Sequence, residues 1–151
     1  MNYTFDITLK TRTIFNNLLD TFTLEQLNIK PNGFNNTIFW NIKHIVITQQ
    51  LLTYALSGLP TLISEKEIEA FRKGSKAEIE ATNEDVDMLK EQLFTTLKQT
   101  KKDYNEGRFK DYNEYTVSTK SVLSNIKEAL EFNNFHEGIH LGYILAMKKN
   151  L

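Results

Sequence analysis

The feature that most constrains this chain is its period. Apolar residues recur at helical spacing over four long stretches, and no run alternates apolar with polar residues for long enough to build a sheet. A chain of that kind must bury helix faces against other helices. The expected class is therefore all-α, and four amphipathic helices of this length are most economically buried as a four-helix bundle. With 40% apolar and 25% charged residues among 151, one domain over residues 1–151 can form its own core without a staple.

Local signals place the boundaries. The first helix is expected over residues 5–20, with Ile7, Ile14 and Leu18 along one stripe, and a short helical turn follows at Thr23 to Leu27. Pro31 and Gly33 then interrupt the chain. A second helix starts at Asn36 as N-cap and runs to Leu56, where Ser57-Gly58-Leu59-Pro60 stops it. The connection from Ser57 to Thr82 is long for a helical hairpin, carries a Ser64/Glu67 capping box, and can cross the end of a bundle. Helix three opens at Thr82 or Asn83 with Glu84 and Asp85 in its first turn. It presents Val86, Leu89, Leu93, Leu97 and Tyr104 on one face and stops near Gly107. Arg108 to Lys120 is aromatic and polar without clear period, after which Ser124 is placed to cap a last helix ending at Lys149.

Charge and composition exclude several functions. The net charge is −1, and the basic doublets Lys101-Lys102 and Lys148-Lys149 sit where helix C-termini welcome cations, so no nucleic-acid partner is expected. The absence of cysteine removes disulfides, thiolate ligands and a protein-borne thiol nucleophile. It fits a reducing compartment, and any thiol chemistry would need an external thiol. The opening segment lacks the pattern of a signal peptide, and the most apolar stretch carries Asn41, Lys43 and His44 and is too short to span a bilayer. The expectation is a cytoplasmic protein with no membrane partner.

Three histidines carry the chemical interest. In the last helix Ile126, Ala129, Leu130, Tyr143, Ile144 and Met147 fall on one side and Lys127, Glu131, Asn134, Gly138 and Lys149 on the other. His136 and His140 lie near the middle of the apolar side, four residues apart, so their rings project together. Two such rings can share a divalent ion, which then needs a ligand from another element. His44 is the other histidine, on a stripe with Thr37, Asn41 and Thr48 whose small polar groups can orient its ring, while Lys43 and Gln50 are expected on the solvated face. The same spacing also fits hydrogen-bonded core histidines, although two metal-free imidazoles side by side need partners for four ring nitrogens.

The segments NNTIFWNIKHIVITQQLLTYALSGLP and EALEFNNFHEGIHLGYILAMKK resemble the DinB-like superfamily, which includes the YfiT-type metal-dependent hydrolases. The resemblance implies an up-down-down-up four-helix bundle in which Ser57 to Thr82 is the long crossover between helices two and three. It also implies one metal ion held by His44, His136 and His140. The superfamily mixes hydrolases with thiol-dependent transferases and isomerases. Three neutral imidazoles leave the ion its full charge and open positions, which suits activation of water or of an external low-molecular-weight thiol on a small-molecule substrate. The ion would be zinc, nickel, iron or manganese. Glu137 beside a ligand is a candidate general base, Tyr143 a candidate hydrogen-bond donor to substrate, and Trp40 an aromatic for the core or for stacking. The alternative is a non-catalytic module in which the ion fastens two helices together. A homodimer through an apolar helix face is also open.

Overall fold

The computed structural model describes all 151 residues. Its helices are α1 (Asn2–Thr21), α2 (Leu24–Asn28), α3 (Ile38–Gln50), α4 (Glu65–Phe71), α5 (Asn83–Asn105) and α6 (Ile126–Met147). The four longest touch one another in sequence around a shared core, with α1 against α5 and α6, and α3 against α5 and α6. Phe15, Ile38, Ile42, Ile45, Leu89, Leu93, Ile144 and Met147 form the centre of that core. No helix is long and apolar enough to cross a membrane.

Several sequence signals do what their chemistry dictates. Thr82 and Asp85 cap α5 reciprocally, and Ser64 and Glu67 do the same for α4, each pair satisfying backbone N–H groups that a helix start leaves open. Gly107, at φ 68°, ends α5 in the left-handed conformation glycine adopts without steric penalty. Two caps sit one residue beyond their expected positions. Thr37 rather than Asn36 caps α3, accepting from the Trp40 N–H, and Asn125 rather than Ser124 caps α6, accepting from Lys127 and Glu128.

Three expectations are corrected. Ile14 is 44% exposed, and α1 instead buries Phe5, Thr8, Arg12, Phe15, Leu18 and Leu19. Arg12 can face inward because Glu137 accepts from its Nε and Nη2 at 3.1 and 2.9 Å, while Leu93 O and Thr96 Oγ1 each accept from Nη1 at 2.9 Å. Lys43 and Gln50 are buried rather than solvated. The Lys43 ammonium reaches Glu67 at 2.6 Å and also donates to Gln92, while Gln50 bonds Gln49 and the Leu62 N–H. As a result α3 is buried on every side and has no solvated face. The region after α5 is not featureless, since Tyr115–Thr116 (β1) pairs antiparallel with Val122–Leu123 (β2) as a short ribbon.

One departure from regular helix shapes the site. After α3 the chain makes a π-helical turn over Leu51–Ala55, a geometry that recurs at functional sites. The Leu52 carbonyl accepts from the Tyr112 hydroxyl at 2.9 Å, and the Leu56 carbonyl from the Asn113 N–H at 2.7 Å. These two bonds anchor the segment leading into β1 beside the end of α3.

Candidate metal centre

His44 comes from α3, and His136 and His140 from α6. Their ring centroids are 5.2 Å apart for His44–His136, 5.0 Å for His44–His140 and 4.6 Å for His136–His140. One nitrogen from each ring can be chosen so that all three lie within 4.8 Å of one another, a separation one ion can span.

Hydrogen bonds fix two of the rings. The Phe71 carbonyl, 2.6 Å from His44 Nδ1, can only accept, so that nitrogen carries the hydrogen and Nε2 keeps its lone pair, toward which the Thr48 hydroxyl donates at 3.2 Å. Asn41 donates from Nδ2 to the Thr37 carbonyl at 2.7 Å, which turns Oδ1 toward His140 Nδ1 at 2.9 Å. His140 must therefore donate there, which leaves the lone pair on its Nε2. Trp40, one turn before His44, stacks on it at 4.6 Å and 11° and is itself held by the Ser75 hydroxyl. Such orienting groups tune metal-bound imidazoles. Replacing Asn41 with leucine is expected to weaken metal binding about 10–100-fold while leaving all three ligands in place, measurable by competition with a chromogenic chelator.

The Phe71 carbonyl is a ring clamp supplied from far along the chain. Glu67 serves α4 twice, capping its first turn and pairing with Lys43 of α3. Partial burial pushes the Glu67 carboxyl up, but hydrogen bonds from Gln92, Lys43 and Ser64, with the Lys43 charge, outweigh it and hold it at about 2. The carboxylate thus stays ionised, α4 stays docked on α3, and the last turn of α4 presents Phe71 to His44. The capping box was legible in the sequence, whereas this second use of Glu67 had no local signal.

His136 has no such clamp. Its Nδ1 is buried and has no hydrogen-bond partner, a costly state for a polar atom unless a ligand supplies what the protein does not. Burial, reinforced by His140 and His44, drives His136 down to about 3, and burial with His44 drives His140 down to about 4. Burial also lowers His44, partly opposed by the Phe71 hydrogen bond. Neutral imidazoles with one nitrogen each within 4.8 Å of the others are the form in which histidine ligates a metal, so the residues present fit such an ion.

All three folded values lie below the ordinary 6.5 of histidine. In the metal-free protein, stability from the neutral rings is therefore complete above pH 6.5 and erodes as pH falls from there toward about 3. At neutral pH the ligands have no protons to give up. Calorimetric titration with zinc at pH 7.0 in buffers of different ionisation enthalpy should show close to zero protons released by the histidines. Release of about a quarter of a proton per histidine, the share that a ring titrating at 6.5 carries at pH 7.0, would refute the depressed values.

The other candidates sit elsewhere. Glu137, expected at the rim of the apolar arc, is fully buried and turned to Arg12 and Asn133, so its bonded oxygen is committed to an internal ion pair. Tyr143 packs edge-on against Phe34 with ring centroids 5.0 Å apart. Two cavities do reach the cluster. One of about 320 Å³ touches His44 and His136 and is walled by Leu51, Leu52, Ala55, Leu56, Val117 and Phe132. The other, of about 550 Å³, touches His44 and Trp40 and is walled by Lys30, Lys73, Lys76, Asn35 and Ser75. The π turn and the anchored ribbon build the first, a lining the sequence did not disclose.

The family model described as DinB superfamily matches residues 8–144, a span that contains every residue of the cluster and its clamps. This chain belongs to the DinB superfamily. No curated protein matches it. Membership and geometry agree on the coarse point that the three histidines of this DinB-superfamily chain are gathered where they can bind a metal ion.

Proposed function

We propose that this protein is a metal-dependent enzyme, a hydrolase or a thiol-dependent S-transferase, whose single divalent transition-metal ion is held by His44, His136 and His140. The observation that carries the proposal is the convergence of three ligand nitrogens within 4.8 Å, beside cavities large enough for a small molecule. Bound there, a divalent ion would supply Lewis acidity to a water or thiol nucleophile. Phe71, Asn41 and Trp40 hold the rings in the ligating tautomer and orientation. The wall of leucine, valine and phenylalanine offers apolar surface on one side of the cluster. Because the chain has no cysteine, a transferase reaction would take its thiol from solution. In the same reading the four long helices form an up-down-down-up bundle, with the segment between α3 and α5 as its crossover.

The test begins with elemental analysis of protein purified without a histidine tag. About one ion per chain is expected, followed by metal-dependent turnover in screens of ester and amide hydrolysis and of thiol transfer to electrophiles. An ion that binds no small ligand such as azide or cyanide, together with no turnover, would leave it as a fastener between α3 and α6 and defeat the enzymatic reading.

A further inference from the structure

The two cavities beside the cluster differ sharply in chemistry and share two residues, His44 and Lys73. In the first, Leu51, Leu52, Ala55, Leu56, Val117 and Phe132 offer an apolar bed. The second is lined by three exposed lysines, Lys30, Lys73 and Lys76. None of these lysines is paired with a carboxylate, and neither lining contains an aspartate or glutamate. Ser75 accepts from the Trp40 indole and keeps its own hydrogen free to donate. The walls therefore offer positive charge and hydrogen-bond donors on one side of His44 and apolar surface on the other. Concave walls of one sign concentrate the field and draw in the opposite charge.

We infer that the substrate of this site is a small amphiphilic anion, its apolar body lying in the Leu51–Leu56 cavity and its carboxylate or phosphate held by Lys73, with Lys30 and Lys76 behind it. The inference rests on the reading of the histidine cluster as the reaction centre, and it specifies what that centre acts on. Lys73 is the specificity-determining residue because it alone among the lysines borders both cavities. A neutral apolar molecule would leave the three ammonium groups without a counterion, and a small hydrophilic anion would leave the apolar wall uncovered.

The experiment is calorimetric titration of zinc-reconstituted protein with four probes: octanoate, octyl phosphate, octanol and acetate. At least one of the two long-chain anions should bind about tenfold or more tightly than both octanol, which lacks the charge, and acetate, which lacks the chain. Lys73→Met should weaken that anion about tenfold and leave octanol unchanged. Ala55→Phe, at an exposed position that fills the apolar cavity, should weaken anion and alcohol alike. Neither variant should alter zinc content. Octanol binding as tightly as both anions, or Lys73→Met leaving anion binding untouched because the carboxylate merely ligates zinc, would overturn the inference. Repeating the titration on chelator-treated protein separates the two readings. Lys73-dependent binding in a chain that takes up no ion upholds the amphiphile and defeats the metal centre, whereas one ion per chain without selective anion binding does the reverse.

Discussion

Replacing Arg12 by methionine is expected to lower the stability of the fold by about 3–5 kcal/mol, a large share of what a domain of this size possesses. Arg12 and Glu137 are both fully buried, and each is the other's only ionic partner. Taking either charge out of water costs several kcal/mol, offset here by two hydrogen bonds between them at Glu137 Oε1 and by Leu93 O, Thr96 and Asn133 around them, while Glu137 Oε2 has no partner. Methionine fills much of the arginine volume but leaves the Glu137 carboxylate without a counter-charge. The double variant Arg12→Met/Glu137→Leu removes both charges, and well-packed apolar replacements of a buried pair are often neutral or better. Urea denaturation should therefore show most of the lost stability restored in the double variant. A double variant as unstable as Arg12→Met alone would mean that the packing of the arginine stem, and not the uncompensated carboxylate, carries the effect.

That ion pair also shows where sequence reading stops. Several helix limits were legible where the cause is local, although the caps of α3 and α6 sit one residue beyond their expected positions. Thr82 with Asp85, Ser64 with Glu67, and Gly107 act on their own turns of backbone, and their chemistry is readable within four residues. The pairing of His136 with His140 was legible for a similar reason, since helical spacing sets them side by side, whereas the addition of His44 to them rested on the family resemblance. The faces of α1 and α3 were not. Ile14 is apolar and Arg12 charged, so a local rule puts the wrong one inside. The decision belongs to Glu137, which lies 125 residues away. Lys43 is decided in the same way by Glu67 and Gln92, each on another helix. Burial of a charge depends on a partner, and a pattern confined to one helix contains no record of it. The ribbon at 115–123 escaped because two-residue strands are too short for alternation to register.

The histidines should separate into two classes when each is replaced in turn. His44→Ala, His136→Ala and His140→Ala are each expected to abolish stoichiometric metal, because two imidazoles that share one helix, or that bridge two helices, leave the ion short of the three protein ligands it needs. Their effects on the metal-free fold should differ. Removing His44 leaves the Phe71 carbonyl without its donor, and removing His140 strands Asn41 Oδ1, losses of about 1–3 kcal/mol each where the group stays dry. His136 makes no hydrogen bond through its buried Nδ1, so His136→Leu removes an unsatisfied polar atom and should leave the metal-free protein as stable as before or more so. A residue whose removal stabilises the empty fold is one that the fold alone does not explain. Chemical denaturation of chelator-treated variants measures this directly, with zinc added back as the second arm. The unmodified chain should gain stability with zinc concentration, as any ligand specific for the native state imposes, and the His136→Leu variant should not respond. A clear loss of stability in metal-free His136→Leu would make His136 an ordinary packing residue. An undiminished zinc response in that variant would remove it from the site.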